Sequence, residues 1–366
     1  MVRLVRESFA VVEPHAEEVA HYFYSMLFSI EPSVREMFPV NMQVQRSRLL
    51  RALVHVVQLV DRPDDLVPFL EQLGRDHRKF GVVSKHYEAV GMALITAVKR
   101  YSGTRWTDDV EHAWAEAYTI MARTMLAAAA TDEGPAFWPA EVVSHERIGW
   151  DLAVVRVQPH HAVPYQAGQY MSVEVPQRPR LWRYLTPANA PRPDGTLDFH
   201  IRGVEGGWVS RSIVAHAKVG DAWRIGSPMG RITVDREAGR DVLMVAGGTG
   251  LSPMRAIIDD LAQWGENPHV HLFVGARTRD DLYDVSNLQN IAATNPWLTV
   301  VPVVEEPNVP GVEQGTLADV VTRYGAWADR SVLVSGSPGM IRATVSRMLV
   351  AGTPLDQIIY DPFTVD

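Results

Sequence analysis

Two places in this 366-residue chain put residue types at spacings that can do chemistry. The first is Asp241-Val242-Leu243-Met244-Val245-Ala246-Gly247-Gly248-Thr249-Gly250-Leu251-Ser252-Pro253. Its Val-, Leu- and Met-rich half predicts a buried strand of a parallel sheet. Glycines follow at once, then Ser252 as an N-cap and Pro253 at the first helical position. The helix behind them carries Ile257, Ile258, Leu261 and Trp264 and is expected to stop at Gly265. Strand, glycine turn and helix start aim free N–H groups and a positive dipole end at an anion, such as the pyrophosphate of a dinucleotide. The second place is His77, which continues the helical apolar stripe of Leu66, Leu70 and Leu73, so its imidazole is expected to point inward. That leaves two readings, a satisfied core histidine or a ligand.

Composition limits what these residues can serve. Hydrophobic content of 46% and charged content of 21% are those of a globular protein, and the length allows two or three domains. A net charge of −8 without a basic stretch argues against a nucleic-acid partner. The absence of Cys removes disulfides, thiolate metal sites and iron–sulfur clusters, so a metal must use His, carboxylate or a prosthetic group. The first nine residues do not read as a signal peptide, and Leu126 to Ala130 is too short to span a bilayer, so the expected address is the cytoplasm.

Three textures position the two places. Residues 1–131 read as about six helices, with apolar repeats such as Leu49–Leu53–Val57 and Trp114–Tyr118–Met121–Met125 and breaks at Pro32, Pro39, Pro63, Gly81 and Gly103. That suits an all-α domain of globin size around a central pocket. Residues 137–236 alternate like short antiparallel strands, among them 150–157, 170–175 and 197–202, with a short helix from Ser210 to Ala217. Residues 237–366 form a βαβ series, with strands at 269–275, 298–304, 331–335 and 358–360 beside the opening one. Ligands of such sheets bind at the carboxyl ends of the strands, where strand order reverses.

The first texture resembles the globin domain of flavohaemoglobins, through Ala20-His21-Tyr22-Phe23-Tyr24, Met37-Phe38, Gln45-Arg46 and Leu73-Gly74-Arg75-Asp76-His77-Arg78-Lys79-Phe80. The resemblance implies haem b with His77 as proximal iron ligand, Phe38 wedged against the porphyrin, Tyr24 and Gln45 as distal hydrogen-bond donors, and Leu49 as a distal apolar wall. In that family a tyrosine and a glutamate back the proximal histidine. Tyr87 fits the tyrosine, whereas the matching stretch Leu126-Ala127-Ala128-Ala129-Ala130-Thr131 has no glutamate and only Asp132 follows.

The second and third textures resemble the ferredoxin–NADP reductase family, a flavin-binding barrel followed by a nucleotide domain. Ala167-Gly168-Gln169-Tyr170 matches the strand that approaches FAD. Arg183-Tyr184-Leu185-Thr186 matches the Arg-x-Tyr-Ser/Thr motif, with Arg183 for the pyrophosphate and Thr186 for flavin N5. Leu185 stands at the aromatic position, and Tyr184, one residue early, is expected on the opposite face of its strand. Gly206-Gly207-Trp208-Val209-Ser210 matches the helix start that cradles flavin phosphates, through Gly207 and Ser210. Gly247, Gly248, Thr249, Gly250 and Pro253 meet the NAD(P)H pyrophosphate motif. Gly336, Pro338 and Gly339 meet a second one in which Ser335 replaces a cysteine, and Phe363 matches the aromatic that shields the flavin. Arg277 and Arg279 follow the second strand, where arginine accommodates the 2′-phosphate of NADPH, and Asp280 and Asp281 come next.

Taken together the chain resembles a flavohaemoglobin along its full length. The resemblance implies an electron path from NAD(P)H through FAD to haem, and a reaction of nitric oxide with O2 that gives nitrate. Its partners would be these small molecules, with no nucleic acid, membrane span or obligatory protein partner. Two alternatives remain open at this point. One is a flavin oxidoreductase with another donor or acceptor and an atypical haem domain, and the other is a haem protein that binds or senses gas without turnover.

Overall fold

The computed structural model describes residues 1–361. The chain divides into two compact units, residues 1–137 with 179–181, and residues 138–178 with 182–361 of the described chain.

The first unit is helical: α1 (Val2–Val12), α2 (Ala16–Ile30), α3 (Gln43–Leu59), α4 (Pro63–His77), α5 (Ser84–Ser102) and α6 (Asp108–Thr131). Proline opens α4, and Thr107 caps α6 by accepting from the Val110 N–H. Gly81, at φ 70°, ends the turn after α4 in a left-handed conformation. The apolar residues fall into two clusters rather than one. The larger joins Phe23, Tyr24, Leu27, Ala93, Leu94 and Trp114, with Phe38, Leu49 and Leu53 against it. The smaller joins Leu59, Leu66, Leu70, Tyr87 and Met125, with Leu73 and Val82 against it. Residues 45, 46, 48–54 and 56 of α3 stay half-buried, so this helix is less completely packed than its neighbours α2 and α5.

The second unit holds two sheets. β1 (Trp138–Arg147), β2 (Leu152–Pro159), β3 (Tyr170–Glu174), β4 (Arg183–Leu185), β5 (Leu197–Arg202) and β6 (Ala222–Met229) pair antiparallel in the order β4-β3-β6-β1-β2-β5. A bridge from Pro187 to Phe199 brings the two ends together into a nearly closed barrel filled by Val155, Val173, Phe199, Ile201 and Ile225. α7 (Trp208–His216) follows β5. The parallel sheet comprises β7 (Val242–Gly247), β8 (Val270–Ala276), β9 (Leu298–Val304), β10 (Glu313–Gln314), β11 (Ser331–Ser335) and β12 (Ile358–Ile359). Its order is β10-β9-β8-β7-β11-β12. α8 (Leu251–Leu261), α9 (Val285–Thr294), α10 (Leu317–Arg323) and α11 (Pro338–Ala351) cover the sheet. The chain runs outward from β7 through β8 and β9, then returns to β11 on the other side of β7. The switch point is therefore β7/β11, where the two glycine motifs end their strands.

The helix after the glycine loop differs from expectation. α8 begins at Leu251 with Gly250 as its N-cap, so Ser252 lies inside the first turn, almost fully buried, and Pro253 is its third residue. The α-helix ends at Leu261, and Trp264, in the turn beyond, is exposed. The two strands β1 and β6 carry no glycine motif and were not anticipated from the sequence; both are central to the barrel.

Candidate functional site

In the first unit α4 carries His77 on its last turn. Gly74, one turn earlier, touches α6 so closely that a Cβ there would run into the Met125 backbone. That approach fixes the height of α4 and hence of the imidazole. The Nδ1–H of His77 donates to the Leu73 carbonyl at 2.7 Å, which assigns the proton and leaves Nε2 as the electron-pair donor. Desolvation lowers the pKa of the ring, against the pull of Asp76, so the imidazole is neutral as a metal ligand must be. Tyr24, Phe38, Gln45 and Leu49 come together from α2, the turn after it, and α3. The Tyr24 and Phe38 rings meet edge-on at 5.4 Å, and the Tyr24 hydroxyl lies 3.4 Å from the Gln45 carbonyl oxygen. Burial pushes the Tyr24 hydroxyl up to about 12, so it keeps its proton.

A neutral imidazole with a free Nε2, an apolar core split in two and a phenol in the facing cluster are what a haem needs, and the residues fit it. Tyr87 is buried in the smaller cluster and its carbonyl accepts from the Tyr118 hydroxyl at 2.5 Å. Asp132 does not back His77: it pairs with Arg78 at 2.6 Å. A buried Asp76–Lys79 pair at 2.6 Å flanks the histidine instead, a feature sequence reading missed because its i,i+3 spacing also fits a solvated helix face.

In the barrel, β3 and β4 pair Met171 with Leu185, Ser172 with Tyr184 and Val173 with Arg183. Tyr184 therefore shares the face of Tyr170, and their rings meet at 5.1 Å, while Leu185 and Arg183 share the other face. Strand alternation does separate the two positions as expected, but the aromatic wall belongs to Tyr184. β4 is a half-buried edge strand, with Gln169 and Thr186 half-buried at the ends of β3 and β4. α7 has Gly207 as its N-cap and no side-chain cap, and a Cβ at Gly207 would crowd Ser210 Oγ at 2.5 Å. An aromatic pair on an edge strand, and a helix N-terminus with glycine at its cap, are features that suit an isoalloxazine and its phosphates.

Asp361 packs behind Tyr170. Its Oδ1 accepts from the Arg231 N–H at 2.9 Å, and a Cβ on Gly230 would sit 2.7 Å from Oδ2 and 2.8 Å from the Tyr170 ring. Burial raises the carboxyl pKa to about 6. Phe363 lies outside the described residues.

At β7/β11 the two glycine turns meet: a Cβ on Gly250 would collide with the Ser335 carbonyl and the Gly336 N–H. Gly248 and Gly336 hold positive φ of 56° and 157°. Ser337 caps α11 from its side chain, with Pro338 and Gly339 in the first turn. The start of α8 has no side-chain cap; the Leu251 N–H is held by the Gly248 and Thr249 carbonyls, and the helix N-terminus that follows the glycine turn is the kind of end that favours an anion.

Arg277 and Arg279 are exposed on the loop after β8. Beside them opens a cavity of about 450 Å³ lined by Trp150, Asp151, Arg202, Thr278, Asp280 and Asp281 among others. Arg202 bridges Asp151 at 3.0 Å and Asp281 at 2.9 Å. Burial works against ionisation of Asp281, but the Thr278 hydroxyl and Arg202 outweigh it and hold the carboxyl below its usual range. No local motif marked this cavity, since its walls come from a hairpin, a strand end and a loop far apart in sequence.

Three family models match the chain in succession: a globin over residues 21–125, an oxidoreductase FAD-binding domain over 139–234 and an oxidoreductase NAD-binding domain over 244–346. With the sites above they define an oxidoreductase that joins a haem globin to a flavin- and nucleotide-binding reductase. Flavohemoprotein of Bordetella parapertussis is 30% identical over 70% of this chain and 69% of its own length. Flavohemoprotein of Bacillus subtilis is 22% identical over 99% of this chain and 96% of its own. The flavohemoglobin structure from Malassezia yamatoensis, at 18% identity, shares the fold with a TM-score of 0.79 over 98% of both chains. The chain belongs to the flavohaemoprotein family.

Proposed function

We propose that the protein oxidises nitric oxide with O2 to nitrate, the reaction of its family, at the expense of a reduced nicotinamide dinucleotide. The observation that carries this reading is His77, neutral, with Nδ1–H fixed on the Leu73 carbonyl and Nε2 left for iron. Bound haem supplies the redox iron, FAD converts a hydride into single electrons, and NAD(P)H provides the hydride. Tyr24 stays protonated and would exchange its long contact with the Gln45 carbonyl for a bound ligand, with the Gln45 side chain as second donor, while Phe38 and Leu49 would keep the haem slot apolar. Tyr87 buttresses the histidine side. Gln169, Tyr170, Arg183, Tyr184, Leu185, Thr186, Gly207 and Ser210 hold the flavin; Gly247, Gly248, Thr249, Gly250, Pro253, Gly336, Pro338 and Gly339 form the nucleotide cleft. The corresponding modules are residues 1–131, 137–236 and 237–366. The proposed address is the cytoplasm, where reduced nucleotide is available, and no described helix is long and apolar enough to cross a membrane. Rapid NO-dependent NADH oxidation under air, abolished by His77→Ala with the flavin spectrum intact, is the expected result. A purified protein with flavin bands and no haem band would overturn it.

The dinucleotide we propose is NADH, although Arg277 and Arg279 favoured NADPH on sequence grounds. Three carboxylates, Asp151, Asp280 and Asp281, line the cavity beside that loop against one guanidinium already paired twice, whereas Arg277 and Arg279 are not part of its lining, so a 2′-phosphate seated in the cavity would meet the carboxylates. We expect kcat/KM for NADH to exceed that for NADPH by about tenfold or more, a barrier difference of ~1.4 kcal/mol, and Asp280→Asn to narrow the gap.

The Arg78–Asp132 pair favours a second reading, a flavin oxidoreductase that delivers electrons mainly to another acceptor. Stopped-flow mixing with NADH separates the two. Flavin reduction followed by equally fast haem reduction supports the first reading; haem reduction too slow for turnover supports the second.

A further inference from the structure

The helical unit contains a second cavity, of about 160 Å³, walled by α1, α3, α4 and α6. Its lining is apolar almost throughout: Val5, Leu53, Val57, Leu66, Leu70 and Trp114 are the inner members. Leu53 belongs to the cluster that holds Tyr24, Phe38 and Leu49, whereas Leu70 belongs to the cluster that holds Leu73 and Tyr87. The cavity therefore touches both apolar clusters, the one that holds Tyr24 and the one that packs beside the His77 helix. At its outer end Met1, Val67 and Ile120 are exposed, at 41%, 39% and 47%.

Apolar side chains thus line the cavity from its exposed rim to members of both clusters. A cavity of ~150 Å³ with such walls stays dry and takes benzene or xenon. Water and ions gain nothing there, because their hydrogen bonds would go unmade. An extended acyl chain is excluded by size, at ~30 Å³ for a group as small as one water. What remains is a small apolar molecule.

We propose that this cavity is the antechamber through which the diatomic gases reach the haem slot, holding them between the exposed rim of Met1, Val67 and Ile120 and the shared wall at Leu53 and Leu70. The proposal rests on the haem reading, but the cavity can be tested without haem. Its chemistry selects O2 and NO over water and charged nitrate, so substrates and product need not share one route.

Crystals of the full chain under xenon pressure are the direct test. Xenon is expected in this cavity in the unaltered protein and absent from Val57→Phe, whose ring fills it, whether or not haem is loaded. The second measurement is the association rate of CO with the reduced protein. Val57→Phe and the rim variant Ile120→Trp are each expected to slow it about fivefold, while Met121→Ala, which widens the cavity, speeds it. No xenon in the unaltered protein overturns the proposal, as does an unchanged CO rate in both plugged variants. A co-purified acyl chain occupying the cavity overturns it too. A protein without a haem band that still binds xenon here would sink the haem reading and the feeding role together, while leaving the gas site standing.

Discussion

At the scale of single residues, the surroundings of His77 are organised by ion pairs between its neighbours, and its ring is held by the Leu73 carbonyl. Asp132 answers Arg78, and Asp76 answers Lys79 in a pair almost without solvent. Removing one member of a buried pair leaves the other uncompensated, so Lys79→Met is expected to lower stability by ~3 kcal/mol, read from a urea midpoint followed at the helical signal. Tyr24→Phe removes the buried phenol hydroxyl and keeps the ring against Phe38; O2 is expected to dissociate about tenfold faster in flash photolysis, the scale of one charge-assisted hydrogen bond. Asp361 supplies a pH signature. Its folded pKa of about 6 lies above the ordinary carboxylate value of ~4, so in that window the folded protein keeps a proton that the unfolded chain has released. Its contribution is full below pH ~4 and is lost as the pH rises through about 6, up to ~2–3 kcal/mol in all. Asp361→Asn should flatten that part of a stability-against-pH curve; an unaltered slope would show that another group titrates there.

At the scale of elements, close backbone approach decides the geometry. Gly74 sets α4 on α6, and Gly250 sets the β7–α8 turn on the β11–α11 turn. In both places a Cβ meets backbone atoms, which cannot swing aside as a side chain does. Gly250→Ala is expected to raise KM for NADH at least tenfold with little change in the haem spectrum, because the turn must open before dinucleotide can lie on it. Gly74→Ala should do the reverse, shifting the haem band and leaving NADH:ferricyanide activity in place. The β4 edge follows the same logic at longer range: pairing with β3 puts Tyr184 beside Tyr170, and that register determines which side chains share the aromatic face.

At the scale of the molecule, two units with separate cores carry the two halves of the chemistry. Each core is large enough to melt on its own, so differential scanning calorimetry is expected to show two transitions. His77→Ala should lower only the transition tied to the haem band, since loss of a tightly bound ligand removes its stabilisation from the unit that held it. A single transition displaced as a whole would argue that the units unfold together.

Sequence alone determined the class and order of the modules. A glycine turn between an apolar strand and a helix, a histidine on an apolar stripe, and Arg183 two residues before Leu185 are local patterns, and local patterns survive in one dimension. It also placed β5 at Leu197–Arg202 and β9 at Leu298–Val304, where the apolar runs are sharply bounded. It missed β1 and β6, whose pairing partners give them their identity as strands, and it set the start of α8 two residues late because Gly250, not Ser252, turns the chain. Tertiary structure alone decided the occupation of Asp132 by Arg78, the pairing of Tyr184 with Tyr170, the Asp361 carboxyl behind Tyr170 and both cavities. Each of these joins residues remote in sequence, and neither a periodicity nor a motif encodes which distant side chain will arrive to share a buried charge or close an apolar wall.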